Sequence, residues 1–358
     1  MRSLCIVGTF DDNGGKFSKI GEIIYRSVKR DDMHYINGGN FHKLQETLYE
    51  IKDSGLIYWF ANVPNEKQKL VEDIKKNNNA CVLVTSKRNV EKKYTFQDLL
   101  YHALGIKSNL FVEFIQKDGR YHGRVADPLG NVFLDYNDDV GLLGKVLKKR
   151  AEELLGYTRV PSINVGEKED VPNETEFFEI IKHYAEVFHD LIHFHPEATN
   201  RFFGNASFRC ERGFPSFRRD SLIYVSRRNV DKRYLNRDAF VAVKAGKIPV
   251  NYFGNDKPST DTPINVKLYG YYPNVHYILH AHTYIDKAPF THRIIPCGAL
   301  EEADEITKLY PDNNKTNFSV NLIGHGSLAL ATDVEFMRKI LYVPRPMPEI
   351  HPEYAQSL

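Results

Sequence analysis

The sequence predicts an α/β protein in two parts: an N-terminal Rossmann-like domain on a parallel sheet, and a C-terminal α/β/α domain whose sheet is mainly antiparallel. Three observations carry this. Short β-rich runs alternate with amphipathic helical stretches over the first 155 residues, the signature of a parallel sheet covered by helices. The segment Pro161–Pro172 (PSINVGEKEDVP) is polar, bracketed by prolines and without apolar period, which marks a domain boundary. After it a helix leads into short strands and Gly/Pro/Asn turns with no strand–helix rhythm, as expected of an antiparallel layer. The domains are therefore read as 1–160 and 173–345, with 346–358 as a C-terminal tail.

In order, the strand and helix pairs are Ser3–Gly8 with Phe17–Val28, His34–Ile36 with Phe41–Lys52, Leu56–Val63 with Lys67–Asn77, and Ala80–Thr85 with Thr95–Leu104. Leu110–Gln116 then enters a hairpin, because Lys117-Asp118-Gly119 supplies a turn and Tyr121–Val125 and Asn131–Leu134 flank a second at Asp127–Gly130. Val140–Leu155 closes the unit as a helix. The second half opens on a helix from Glu174 to Ile192.

With 358 residues, 42% hydrophobic and 26% charged, the chain can bury two cores, and disorder and small disulfide scaffolds are excluded. Its 48 Lys and Arg against 46 Asp and Glu give +2, too balanced to create a field for nucleic acid or membrane by bulk charge. Cys5, Cys81, Cys210 and Cys297 lie far apart with no CxxC, and no charged-then-apolar leader opens the chain. A reducing, cytoplasmic location is the expectation. No apolar run reaches the roughly 20 residues of a membrane span.

The most informative segment is Asn274–Ile285, NVHYILHAHTYI. Read as a strand, period two sets Val275, Tyr277, Leu279 and Ala281 on one face and His276, Ile278, His280 and His282 on the other. Two imidazoles at i and i+2 that point the same way can hold a divalent metal with a third ligand from elsewhere. Nearby in sequence stand Phe203-Gly204-Asn205-Ala206-Ser207-Phe208-Arg209, Pro258-Ser259-Thr260-Asp261, Pro296-Cys297, and Leu322-Ile323-Gly324-His325-Gly326. Together these resemble the class II, metal-dependent sugar-phosphate aldolase and adducin family over roughly Glu174 to Arg345. That family includes fuculose-phosphate and rhamnulose-phosphate aldolases and ribulose-phosphate 4-epimerase.

The resemblance implies that His280, His282 and His325 hold the metal, most simply Zn²⁺, and that Asn205, Ser207, Ser259 and Thr260 cradle a substrate phosphate. Where the family has a Gly-containing phosphate loop, this chain reads Val225-Ser226-Arg227-Arg228, making Ser226 and Arg227 further phosphate candidates. The catalytic acid/base position is filled by Asp261 in place of the aldolases' Glu. The 4-epimerase branch has Asp there, as a metal ligand, but the short segment between His282 and Pro296 leaves that branch's additional acidic residue without a counterpart. The implied function is a metal-dependent lyase that cleaves a carbon–carbon bond in a phosphorylated sugar. The alternatives are a 4-epimerase of the same family or a non-catalytic adducin-like scaffold, and retention of three histidines with Asp261 argues against the scaffold. A homotetramer is also implied, with the proline-rich tail after Pro344 a candidate for reaching a neighbouring subunit.

Other features have plainer readings. His189 and His193, at i and i+4 before Pro196, read as a helix end with no HExxH glutamate. Arg218-Arg219, Arg227-Arg228 and Lys232-Arg233 read as a solvated face, since no nucleic-acid motif accompanies them. At the N-terminus, the turn containing Gly8, Thr9, Gly14 and Gly15 follows the first strand and opens a helix. With Asn37-Gly38-Gly39-Asn40 and Thr85-Ser86-Lys87-Arg88 it lies at one carboxyl edge of the inferred sheet, where open α/β sheets bind ligands. A nucleotide or sugar nucleotide is the expected occupant.

Overall fold

A computed structural model describes residues 2–64, 67, 69–89, 91, 93–199, 201–209 and 221–356. The predicted basic pair Arg218-Arg219 and Cys210 lie outside the described residues. The chain divides into two units, residues 1–156 together with 347–358, and residues 157–346. No helix among the described residues is long and apolar enough to cross a membrane.

The first unit alternates β1 (Arg2–Asp11), α1 (Lys19–Val28), β2 (Met33–Asn40), α2 (Phe41–Glu50), β3 (Ser54–Asn62), α3 (Lys69–Asn77), β4 (Val82–Arg88) and α4 (Phe96–Gly105). It continues with β5 (Leu110–Lys117), β6 (Arg120–Ala126), β7 (Asn131–Asn137) and α5 (Val140–Gly156). Strands β2-β1-β3-β4-β5 pair in parallel, and β5-β6-β7 form the predicted antiparallel hairpins. One face buries Leu4, Ile6, Ile57, Trp59 and Leu83 with Phe41 and Leu44 of α2 and Ile74 of α3. On the other face α1 lies so close to β1 that a Cβ on Gly21 would sit 2.7 Å from that of Val7. The segment Asn37–Asn40, expected as a loop, forms the end of β2, with a register shift where Phe10 meets Gly39.

The second unit contains β8 (Ser162–Gly166), α6 (Thr175–Leu191), the single turn α7 (Pro196–Thr199), β9 (Asn205–Phe208), β10 (Leu222–Ser226), β11 (Phe240–Lys244) and β12 (Val250–Phe253). Then follow α8 (Thr262–Tyr271), β13 (Tyr277–Ala281), β14 (Tyr284–Ile285), α9 (Glu301–Leu309), β15 (Phe318–Leu322), β16 (Gly326–Ala331), α10 (Val334–Arg338) and β17 (Tyr342–Val343). The eight-stranded sheet runs β15-β16-β13-β9-β10-β11-β12-β8 and is antiparallel except at β12-β8. Alternation divides its side chains between two cores. Tyr277, Leu279, Ala281, Phe208 and Phe240 pack with Phe177, Phe178 and Ile181 of α6. Ile278, Val225, Val241 and Leu328 pack with Ile264 and Leu268 of α8 and Ile306 of α9.

The proline-bracketed segment read as the domain boundary contains β8, which pairs with β12. The tail is not a free arm: β18 (Glu349–Ile350) pairs in parallel with β7, and α11 (Pro352–Gln356) follows it. Tyr354 sets its ring 5.0 Å from that of Phe133. Arg150 of α5 is buried and bonded to Glu153.

Gly270 is exposed in the last turn of α8, and a Cβ there would meet nothing within 4 Å. Gly270→Ala should therefore stabilise the protein by about 0.5 kcal/mol, since alanine reduces the entropy lost on helix formation. An unchanged or lower denaturation midpoint would contradict this.

Candidate metal centre

His280 stands near the carboxyl end of β13, one residue short of its terminus, and His282 lies just beyond it. His325 occupies the β15–β16 turn, where Gly324 takes φ +74° and the His325 amide donates to the Leu322 carbonyl. The three residues are 45 positions apart at most, yet their ligand nitrogens lie within 4.8 Å of one another. Their ring centroids are 4.7, 4.8 and 5.1 Å apart. His280 and His325 are buried and His282 is half-buried.

The outer nitrogens are tied down. His280 Nδ1 donates to the Ser327 carbonyl at 2.9 Å, and His325 Nδ1 donates to Glu302 Oε1 at 2.7 Å. In a neutral ring this leaves each Nε2 as a lone-pair donor, the form a metal needs. His280 Nε2 is buried with no hydrogen-bond partner, as is Asp261 Oδ1. Orphaned polar atoms in a buried site carry a desolvation cost that a cation removes, so this donor set fits a divalent ion. His325 Nε2 meets Cys297 Sγ at 3.0 Å.

Asp261 is the residue before α8, and its Oδ2 lies 3.9 Å from His280 Nε2. Asn205 holds it, donating from Nδ2 to that Oδ2 at 3.1 Å while accepting from Asn265 Nδ2 at 2.9 Å. The preceding glycine explains the geometry. Gly204 has φ +77°, and a Cβ there would lie 2.5 Å from the His280 carbonyl, so only glycine brings Asn205 to this corner.

Electrostatics distinguish the rings. Burial and then the neighbouring His325 push His280 down to about 4, and His282 is held well below the ordinary histidine range by burial, His325 and His280. For His325 burial also opposes charge, but Cys297 and Glu302 outweigh it and raise its pKa well above the usual value. Lys232 is buried and pushed down to about 8 by desolvation, with Asp231 and Asp261 acting in the other direction. Arg345 contributes positive potential at His282.

The sequence-predicted residues fare differently. His280, His282, His325 and Asp261 come together. Ser207 does not reach them: it is fully buried and shares a hydrogen bond with the Tyr269 hydroxyl. Ser226 is equally buried and accepts from the Ala206 amide. Arg227 pairs with Asp256, and Ser259 Oγ accepts from the Asp261 amide. Thr260 is exposed beside Gly298. Asn205 positions the carboxylate, with both ends of its amide occupied. His193 lies past the end of α6 and donates from Nε2 to the Arg345 carbonyl at 2.8 Å. His276 precedes β13, at the end remote from His282. In the N-terminal unit, Gly8 and Thr9 line a cleft with Lys16, Lys87 and Arg88. Gly14 stands in open space, and Gly15 is structural, since a Cβ there would collide with the Thr9 carbonyl.

Residues 182–304 match the family model of the class II aldolase and adducin N-terminal domain. The resemblance read from the histidine strand thus holds for the C-terminal half, and the matched span contains His280, His282 and Asp261 but ends before His325. Similar solved structures include an L-fuculose 1-phosphate aldolase, 16% identical with TM-score 0.34 over 46% of this chain and 79% of that one. Another is an L-fuculose-1-phosphate aldolase from Thermus thermophilus, 16% identical with TM-score 0.30 over 51% and 94%. A third is the DNA/pantothenate metabolism flavoprotein from Streptococcus pneumoniae, 10% identical with TM-score 0.33 over 43% and 99%. No curated protein matches the chain.

Glu302, in the first turn of α9, went unread in the aldolase-like half, although it fixes the His325 tautomer. Glu302→Gln keeps an acceptor for Nδ1–H but removes the charge that makes the ring more basic. Its metal affinity should fall about 10-fold to 100-fold, measured by competition against a chelator. An unchanged affinity would show that Glu302 only packs.

Proposed function

We propose that the C-terminal unit is a metal-dependent lyase that cleaves a carbon–carbon bond of a phosphorylated sugar, with Zn²⁺ as the resident ion. The observation that carries this is the convergence of three imidazoles beside a carboxylate, two of whose buried polar atoms have no partner. His280, His282 and His325 would hold the ion. When bound, a divalent metal supplies Lewis-acid polarisation of substrate oxygens.

The remaining work belongs to the chain. Asn205 occupies Asp261 Oδ2 and leaves Oδ1 to take or return the substrate proton. The Phe203 ring lies 4.9 Å from His282 and keeps that side of the site apolar, which strengthens electrostatic interactions within it. Because Asn205, Ser207 and Ser226 are consumed by internal hydrogen bonds, the phosphate is left to Thr260 and to Lys232, the buried cation whose charge reaches Asp261 and the histidines. The homotetramer that the resemblance implies is part of this reading.

The 3.9 Å separation between Asp261 Oδ2 and His280 Nε2 favours a second reading, in which Asp261 is itself a metal ligand, as in the 4-epimerase branch. Asp261→Asn separates them. As an acid/base variant it should keep one metal ion per chain while aldehyde release from a ketose phosphate falls by about 10³-fold. Loss of metal together with activity would support the ligand role instead. If the metal-loaded wild type releases aldehyde from no member of a ketose phosphate panel, the lyase reading fails.

A further inference from the structure

We infer that the cleft at the carboxyl edge of the N-terminal sheet is a binding site for an oligophosphate group, built entirely within that unit. The cleft has a volume of about 550 Å³ and is formed by the ends of β1, β3 and β4 and the loop that enters α1. Lys16, Lys19, Lys87 and Arg88 line it, and among the described residues no Asp or Glu does. Elsewhere in this unit several arginines find carboxylates, as in Arg26–Glu22, Arg30–Asp32 and Arg124–Asp135. None of the four cleft cations is ion-paired among the described residues. Four like charges around one concavity repel one another and raise the local concentration of anions.

The uncharged lining points the same way. Thr9, Ser18 and Ser86 bring hydroxyls, while that of Thr85 is shared with Ser108. The Ser18 side chain caps the Gly21 amide, so the amides of Lys19 and Ile20 are first-turn donors without intrahelical partners, at the positive end of the α1 dipole. Gly8 makes this close assembly possible: with φ +83°, a Cβ there would lie 2.6 to 2.8 Å from Gly38 N, Asn37 Oδ1 and the Lys16 carbonyl. Hydroxyls, helix amides and cations that lack a carboxylate partner match a ligand that carries several phosphate charges. Phe17 stands at the rim, 81% exposed, and Phe60 and Ile106 add apolar surface, room for a flat ring attached to the phosphates.

The inference is independent of the metal centre, so each can fail alone. It is tested by calorimetry on the full chain with tripolyphosphate, adenosine triphosphate and adenosine as probes. Both phosphate probes should bind with Kd below about 1 mM and weaken with salt, while adenosine should not bind detectably. Tighter binding of the nucleotide than of tripolyphosphate would assign a role to the aromatic rim, and equal binding would restrict the site to the phosphates. The double variant Lys16→Ala/Lys87→Ala should weaken both by about 100-fold, as two charge-assisted contacts are lost. Ser86→Asp, which adds a negative charge inside the cleft, should do the same without removing a lysine. Failure of either phosphate probe to bind the wild type, or wild-type affinity in both variants, overturns the site.

Discussion

On the proposed lyase reading, His280→Ala should bring the metal content from one ion per chain to near zero and lower turnover of a ketose phosphate by about 10³-fold or more, some 4 kcal/mol of transition-state stabilisation. The reason is the geometry of one residue. His280 sits near the carboxyl end of β13, its ring within 5.1 Å of both other rings, its Nδ1 anchored on the Ser327 carbonyl and its Nε2 buried without a partner. Alanine removes the donor and leaves two imidazoles, too few to hold the ion in competition with water and buffer. In the metal-free protein the cost should be smaller than for an ordinary core truncation. The substitution removes a desolvated, unpartnered nitrogen from among two like groups, and this offsets part of the cavity penalty. Added metal should raise the thermal midpoint of the wild type by linkage and leave that of the variant unchanged. Elemental analysis and a melting curve with and without metal decide the matter. Stoichiometric metal in the variant would remove His280 from the ligand set.

A large stability effect is expected at Gly326. A Cβ there would sit 2.0 Å from the Ala281 carbonyl oxygen and 2.9 Å from His282 Cα. Both are backbone atoms with no rotamer to yield. Gly326→Ala must therefore push β16 away from the end of β13, at a cost of about 3 kcal/mol or more. The same movement pulls His325 from His282, so metal affinity should fall with stability even though no ligand has been altered. Chemical denaturation and metal titration of the one variant test both halves. A stable Gly326→Ala protein that binds metal normally would mean that the strands are less tightly registered than described. Gly270→Ala, in open space on α8, is the matched control with the opposite sign.

The contrast between what could and could not be read from the residues follows from the range of the forces involved. The N-terminal alternation was legible because each strand is covered by the helix beside it in sequence, and period is a local signal. The imidazole pair was legible for the same reason, since i and i+2 on a strand need no tertiary knowledge. Glu302 was not. In Leu300-Glu301-Glu302-Ala303-Asp304 three acids crowd one helix start. Only packing shows that Glu302 turns inward to His325 while Glu301 accepts from the Thr158 amide. The serines failed in the opposite direction. Ser207 shares a face with Asn205, but α8 lies over it, and Tyr269 takes the hydroxyl that a phosphate was expected to use. Strand β8 was not legible within the boundary segment because it is an edge strand, mostly exposed, so it has no apolar face to give a period, and its partner β12 is almost 90 residues away.

The return of the chain to its starting unit governs how the protein can be made and cut. The amides of Glu349 and His351 donate to the carbonyls of Gly130 and Val132, so the N-terminal sheet gains its outermost strand only after the whole second unit has been traversed. On the ribosome that sheet must wait, with β7 uncovered, until residues 157–346 have been synthesised. A recombinant fragment that stops at Gly156 would expose the same raw border, and a short deletion after Met347 would damage the unit that begins more than 300 positions earlier.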